Sequence, residues 1–270
     1  MKRPIITRPL ITLLTDFGTV DHYVAAMKGL ILGICPQAEI VDITHDIPAY
    51  SIPEAAYTLA QTWHCFPKGT THVSVVDPGV GSARRGILAE VAGHRFVAPD
   101  NGLLSMILSA HPEAKVREIT ASRFFRHPVS NTFHGRDIFA PVAARLATGI
   151  RPNAFGNVIT DTIIGDFAKP RWIKSGVCRG AVLKVDNFGN VITNLEWDAF
   201  ESIATQSFRL KLGRHTVRYF QATYSPAPKR QIFALRGSSG YIEVSMNQAD
   251  AAKFMGVTAG DVIELSLLTR

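Results

Sequence analysis

Apolar and polar positions along the first half of the chain switch repeatedly between two periods. Residues 10–14, Leu-Ile-Thr-Leu-Leu, form a strand-length apolar run, and residues 22–33 carry apolar side chains at helical spacing. Residues 38–43 return to a strand pattern and 51–66 to a helical one. Residues 71–77 predict a buried strand, and 86–98 predict a hairpin turned at Gly93-His94. Residues 137–149 predict a helix ended by Gly149, with Pro152 just beyond. Such a rhythm predicts an α/β domain with a largely parallel sheet. From about Arg179 the pattern becomes short strands separated by turns, at 181–185, 190–194, 207–212, 216–220, 231–235 and 241–245, which predicts a smaller β-rich, barrel-like domain. The stretch 151–175 holds Pro152, Gly156, Gly165 and Pro170 and is expected to run over the surface between the two. The expected division is an N-terminal α/β domain over 1–165, a linker over 166–178 and a C-terminal β domain over 179–270.

Length supports two cores, since 270 residues exceed what one hydrophobic core usually spans. Hydrophobic residues at 46% and charged residues at 19% exclude a disordered chain. Lys2 and Arg3 precede an apolar run too short for a signal segment or a membrane span, so a soluble, cytoplasmic protein is expected. Cys35, Cys65 and Cys178 are widely separated, without C-x-x-C or metal-ligand spacing, and are expected to be inert buried thiols. The net charge of +7 would suit nucleic acid, yet the basic residues are scattered and no nucleic-acid motif occurs, so solvated faces are expected instead.

Chemistry-bearing residues collect at the predicted strand ends, where open α/β sheets bind ligands. Four segments stand out: Thr15-Asp16-Phe17-Gly18, Asp77-Pro-Gly-Val-Gly-Ser-Ala-Arg84, Asn131-Thr-Phe133-His134-Gly-Arg136-Asp137 and Asp186-Asn-Phe188-Gly-Asn190. Each has an ordinary reading beside the functional one. A strand-end Asp such as Asp16 serves equally as a helix N-cap, His134 as a core histidine, and Gly237-Ser238-Ser239-Gly240 as a plain turn.

In order and content the four segments resemble the SAM hydroxide adenosyltransferase family, which acts on S-adenosyl-L-methionine (SAM) and whose relatives include fluorinases and chlorinases. Val24-Ala-Ala-Met-Lys28-Gly29, Ile34-Cys-Pro36, Val41-Asp-Ile-Thr-His45, Ala98-Pro-Asp-Asn101-Gly102-Leu103 and Gly237-Ser238-Ser239-Gly240-Tyr241 extend the resemblance nearly end to end. It implies that Asp16 grips the ribose 2′ and 3′ hydroxyls, as suits a carboxylate facing a vicinal diol. It further implies Asp186 on the methionine ammonium, Asn190 on the adenine edge, Phe188 on a base face and Ser238 on the methionine carboxylate. Tyr50 and Tyr224 are expected around the nucleoside, and Phe133 and Ser239 complete the substrate-binding set. Near the reacting carbon the hydrolase branch has an Asp, an Arg and a His, matched here by Asp77, Arg84 and His134, with Arg85 the alternative to Arg84. Halogenating relatives differ at the Asp and His positions, so the match implies water as the nucleophile. Family resemblance also implies a homotrimer with sites at subunit interfaces.

No cofactor is expected, because the sulfonium of SAM already carries a neutral thioether leaving group. The enzyme's task is then to align a partly desolvated water behind C5′. Asp77 and His134 are expected to accept hydrogen bonds from that water while Arg84 holds Asp77 ionised. Different readings remain open: a metallohydrolase using Asp16, His45, Asp46, Asp77 and His134, a non-catalytic SAM- or adenosine-binding protein, or a halogenase of the same family. Methyl transfer is disfavoured, since no Gly-rich strand-turn-helix fingerprint lies near the start.

Overall fold

The computed structural model describes residues 8–225 and 227–268, so Lys2 and Arg3 lie outside the described residues. The chain divides into two compact units, Met1–Gly165 and Asp166–Arg270.

The first unit runs β1 (Leu10–Thr15), α1 (Tyr23–Ile34), β2 (Glu39–Thr44), α2 (Ile52–Thr62), β3 (Thr71–Val75), β4 (Gly86–Val91), β5 (His94–Pro99), α3 (Ser105–Ala110), β6 (Lys115–Glu118), α4 (Ala140–Ala147) and β7 (Val158–Ile159). Its seven strands lie in the order β2-β1-β3-β5-β4-β6-β7. Strand alternation divides the core into two apolar layers. Ile11 and Leu13 of β1 pack with Met27 and Ile31 of α1 and Val142 of α4, while Leu14 joins Ala55 and Leu59 of α2 and Ile107 of α3. Burying a Leu or Ile side chain in this way stabilises by roughly 1.5–3 kcal/mol.

The sheet is mixed rather than largely parallel. β2, β1, β3 and β5 are mutually parallel, whereas β4, β6 and β7 join antiparallel. The cause is local: Ala92 and Gly93, with φ of 48° and 88°, form a two-residue turn of the kind that reverses a chain. His94 therefore opens β5 and is not part of the turn. Helix α4 begins one turn later than its sequence pattern suggests, behind a π turn over Gly135–Phe139. Cys35 is buried, but Cys65 is exposed, on the 3-10 turn that follows α2.

The second unit contains β8 (Arg171–Lys174), β9 (Val177–Val185), β10 (Val191–Glu196), α5 (Trp197–Phe200), β11 (Phe208–Leu212), β12 (His215–Val217), β13 (Ile232–Arg236), β14 (Tyr241–Met246), α6 (Ala251–Met255) and β15 (Val262–Leu267). The antiparallel order β12-β11-β15-β9-β10-β14-β13, with β8 added on β9, curls into a nearly closed barrel. Closure comes just past β12, where Ala234 of β13 donates its N–H to Tyr219 and accepts from Gln221, at 2.8 and 2.9 Å. Val182, Val191, Leu210, Ile242, Val244 and Leu265 fill the interior. Part of the stretch read as a linker is thus sheet: β8 pairs with β9 in this unit. Among the described residues no helix is long and apolar enough to cross a membrane.

Candidate active site

Parallel pairing of β1 with β3, in register from Ile11 opposite Thr71 to Thr15 opposite Val75, delivers Asp16 and Asp77 side by side at the strand ends. Asp16 is half-buried, and its Oδ2 accepts the backbone N–H of Tyr50 at 2.9 Å. Burial pushes the Asp16 carboxyl above the usual range, the Tyr50 N–H works against that, and the charge of nearby Asp77 adds to it. Tyr50 holds a left-handed backbone, φ 67°, and its ring is exposed.

Asp77 starts a loop that must fold back sharply to return Arg84 to it. Gly81 permits this: its φ is 77°, and a Cβ there would stand 2.2 Å from the backbone oxygen of Asn131. The same contact lays the 77–84 loop against the segment bearing Phe133 and His134. Asp137, fully buried, secures that segment by accepting the Ser130 N–H at 2.8 Å and Arg136 Nε at 2.7 Å.

Arg84 joins Asp77 to His134. Its Nε lies 3.0 Å from both Asp77 carboxylate oxygens, a terminal nitrogen makes a further short contact with Oδ2, and that nitrogen also reaches His134 Nδ1 at 2.7 Å. Phe139 supports the guanidinium from below, 5.2 Å from ring centre to Cζ. A guanidinium has donors only, so His134 Nδ1 receives this bond and the hydrogen of the neutral imidazole sits on Nε2. Burial and the adjacent Arg84 charge both hold His134 below its ordinary value, against smaller opposing effects of Asp77 and Asp137. Arg85 turns elsewhere, pairing with Asp100 and Asp161. Phe133 is buried among Phe17 and Tyr23, with Arg136 over its ring, so it forms a wall behind the site.

In the second unit the Asp186–Asn190 turn joins β9 to β10. Asp186 Oδ1 accepts the N–H groups of Phe188 and Asn190 at 2.8 and 2.9 Å, and Oδ2 accepts Asn190 Nδ2 at 2.9 Å. The turn is therefore preorganised by its own carboxylate. Phe188 projects into solvent, 80% exposed, whereas Asn190 is buried. These residues, Tyr224 and Ser238 line an open cleft of about 760 Å³. Ser238 is exposed and Ser239 half-buried in the turn between β13 and β14.

The cleft also holds a residue that sequence reasoning missed. Glu243 is 6% exposed and accepts the hydroxyls of Tyr224 and Ser245 at 2.7 and 2.8 Å. Burial and this carboxylate push the Tyr224 hydroxyl well above its ordinary value. The signal was a lone charge inside an apolar strand, Tyr241-Ile-Glu-Val-Ser-Met246, which is costly without a purpose or a partner.

Of the residues considered as metal ligands, Asp77 and His134 are held by Arg84, and His45 by Thr15 and Asp42. Among the described residues, no group of three or more His, Cys, Asp or Glu is arranged to hold a metal ion.

An α/β unit with a carboxylate–guanidinium–imidazole set at its strand ends, carried in one chain with a barrel bearing an acidic, aromatic-lined cleft, defines a two-unit enzyme. The family model described as the SAM hydroxide adenosyltransferase N-terminal domain matches residues 11–156, and that described as the C-terminal domain matches residues 180–264. The chain belongs to the SAM hydroxide adenosyltransferase family. It is 35% identical over 269 residues to an (R)-S-adenosyl-L-methionine hydrolase of Salinispora arenicola, covering 96% of this chain and 98% of the relative. A protein of the same name from Methanocaldococcus jannaschii is 33% identical, with 95% of each chain covered. A fluorinase of an Actinoplanes species is 29% identical over 218 residues, covering 71% of this chain and 73% of the fluorinase. The crystal structure of an uncharacterized conserved protein from Thermotoga maritima superposes with a TM-score of 0.83 at 34% identity, over 95% of this chain and 99% of that one.

Proposed function

We propose that the chain hydrolyses S-adenosyl-L-methionine to adenosine and L-methionine. An oxygen of water or hydroxide forms a bond to ribose C5′ as the C5′–S bond breaks. The bonding pair leaves with sulfur, giving neutral methionine, and any proton shed by the nucleophile passes to solvent. The departing thioether needs neither protonation nor a Lewis acid, so no metal or cofactor takes part in this reading.

The observation that carries the proposal is the Arg84 bridge between Asp77 and His134. It gives the two residues unlike roles. Asp77, paired with the guanidinium, accepts a hydrogen bond from the nucleophile. His134, its Nδ1 already occupied by Arg84, offers Nε2–H as a donor that stabilises hydroxide character. A donor and an acceptor fix an oxygen's orientation more tightly than two acceptors would, and aligning it behind C5′ is the main catalytic demand. Asp16 holds the ribose diol. Asp186, Ser238 and Ser239 take the methionine end, and Asn190, Phe188, Tyr50 and Tyr224 take the nucleoside. Four relatives carry a name specifying the (R) sulfonium, so that epimer is the proposed substrate. The reading places the enzyme in the cytoplasm as a homotrimer whose sites form at subunit interfaces; light scattering should return three times the 29.5 kDa chain mass.

The test is incubation of the purified protein with each SAM epimer in oxygen-18 water, followed by mass spectrometry. Label in the adenosine 5′ hydroxyl is expected, preferentially from the (R) epimer. Unlabelled adenosine, S-adenosylhomocysteine as the main product, or binding without product would overturn the proposal. Formation of a 5′-halogenated nucleoside in preference to adenosine, with chloride or fluoride present, would move the chain to the halogenating branch.

A further inference from the structure

The segment Val41-Asp-Ile-Thr-His45 lies beside the site, yet the reaction above makes no use of it. Its side chains form a line running inward from the surface. Lys28 Nζ of α1 contacts Asp42 Oδ2 at 2.5 Å, and Asp42 Oδ1 lies 3.1 Å from His45 Nε2. That second contact is at ion-pair distance without hydrogen-bond geometry. His45 Nδ1 then meets the Thr15 hydroxyl at 2.8 Å, and Thr15 Oγ1 also accepts the Phe17 N–H at 3.2 Å. His45 and Thr15 are 4% and 0% exposed.

The carboxylate at Nε2 calls for a hydrogen there, which leaves Nδ1 to accept from Thr15. Burial alone would raise the Asp42 carboxyl, but the hydrogen bond of Lys28 and the nearby His45 ring overcome it and hold Asp42 below its ordinary value. The main chain adds to the line, since Gly18 donates its N–H to the His45 carbonyl at 2.8 Å. Five residues on, Tyr50 donates its N–H to Asp16 itself at 2.9 Å. Segment 45–50 thus grips the Thr15–Gly18 turn before, after and at Asp16. Thr15 and Gly18 are the two ends of that turn, so a shift at either swings the carboxylate between them.

We infer that His45 is a positioning residue, locked by Lys28 and Asp42, that sets the direction in which Asp16 presents its carboxylate to a vicinal diol. The inference rests on the proposed role of Asp16. It assigns to a buried histidine, which touches no substrate, control over how tightly the enzyme holds ribose.

Calorimetry on the full chain with two probes, adenosine and 2′,3′-dideoxyadenosine, tests it, together with steady-state kinetics on SAM. His45→Ala is expected to weaken adenosine binding about tenfold, to raise KM for SAM by a similar factor and to change kcat by less than about threefold. Affinity for dideoxyadenosine, which has no diol, should stay within about twofold of the unsubstituted protein. His45→Asn, whose side-chain oxygen can take the place of Nδ1 toward Thr15, should restore adenosine binding to within about threefold. Thr15→Val keeps the volume and removes the hydroxyl, so it should reproduce the His45→Ala loss even if the alanine variant folds poorly. Equal losses for both nucleosides, or no loss for either, would overturn the inference, as would a fall in kcat with KM unchanged. If the unsubstituted protein binds neither SAM nor adenosine, the failure lies in the proposed function itself and the inference falls with it. Normal binding by the unsubstituted protein with diol-independent losses in the variants would sink the positioning role alone.

Discussion

Replacing Arg84 with methionine is the perturbation that most directly probes the site. Methionine can keep the packing against Phe139, whose ring centre lies 5.2 Å from the guanidinium carbon, while removing the guanidinium's hydrogen bonds to Asp77 and His134. The Asp77 side chain is 4% exposed and that of Arg84 10%, so the carboxylate would remain desolvated with its partner gone. Breaking a buried pair from one side costs about 3–5 kcal/mol. For a unit of this size each kcal/mol lowers Tm by roughly 2–4 °C, which gives a fall of about 6–20 °C. His134 is half-buried at the same site, so water can re-enter beside Asp77 and the lower part of that range is expected. Activity should suffer separately. The variant loses both the guanidinium that orients the Asp77 carboxylate and the donor that fixes the His134 tautomer, and a kcat loss on the order of 10²- to 10³-fold is expected. Arg84→Lys keeps the charge without the planar fork and should recover stability more than kcat. Differential scanning calorimetry and chromatographic measurement of adenosine release read the two effects. A Tm within about 2 °C of the unsubstituted protein, with kcat within threefold, would refute the reasoning.

Asp77→Ala and His134→Ala should each lower kcat far more than they raise the SAM dissociation constant, and the double variant should lose much less than the product of the single losses because both act on one oxygen. Fully multiplicative losses would show that they act independently. In the proposed role His134 is a neutral donor with a value held below the ordinary 6.5, so the acidic limb of kcat/KM that it would govern should lie below pH 6.5; a limb above that pH would contradict the Arg84–His134 bond. Asp16→Ala should weaken SAM binding roughly ten- to a hundredfold with a smaller effect on kcat, and unchanged affinity by calorimetry would remove it from the ribose role. His72, fully buried between Thr12 and His94, has its value lowered to about 3 by burial and by His94. The unfolded chain takes up that proton near pH 6.5 and the folded one does not. Stability is therefore complete above pH 6.5 and lost toward pH 3, by about 2 kcal/mol between pH 6.5 and 5 in urea titrations. His72→Asn should flatten that dependence.

The elements most legible in the sequence are those whose periodicity is set by burial on a single face or on both. β1, α1, β3 and β9 to β14 fall close to their expected positions because a misplaced period would expose several apolar side chains at once, whereas β15, between β11 and β9 in the barrel, was not expected. What escaped is short or governed by distant pairing. β6, Lys-Val-Arg-Glu, has one apolar residue and becomes a strand because β4 and β7 lie on either side of it. β8 lies in a stretch whose glycine and prolines read as a linker, and its side chains are all exposed, so its strand character comes wholly from β9. The hairpin over 86–98 was expected, but its turn lies one residue earlier, at Ala92-Gly93, because a non-glycine residue at positive φ is a poor local signal for that turn.

The candidate site was legible in a different sense. The resemblance of the strand-end segments to the family named Asp16, Asp77, Arg84 and His134, and the fold brings Asp77, Arg84 and His134 into hydrogen-bond contact across 57 residues of chain, from 77 to 134. Spacing could not say which arginine turns inward. Arg84 and Arg85 are adjacent, so on an extended segment they point to opposite sides, and the choice was made by the buried Asp100 that captures Arg85. Nor could a list of residue types reveal that His134 is a donor. Asp and His read from sequence as two acceptors for one water, and only the 2.7 Å contact from a group that cannot accept turns the imidazole around. The consequence is chemical. Two acceptors would favour a neutral water giving up its proton in flight, whereas one acceptor and one donor fit an oxygen that already carries hydroxide character. A solvent isotope effect on kcat near unity therefore fits this geometry, and a large normal effect would assign proton removal to the rate-limiting displacement and restore the role of base to His134.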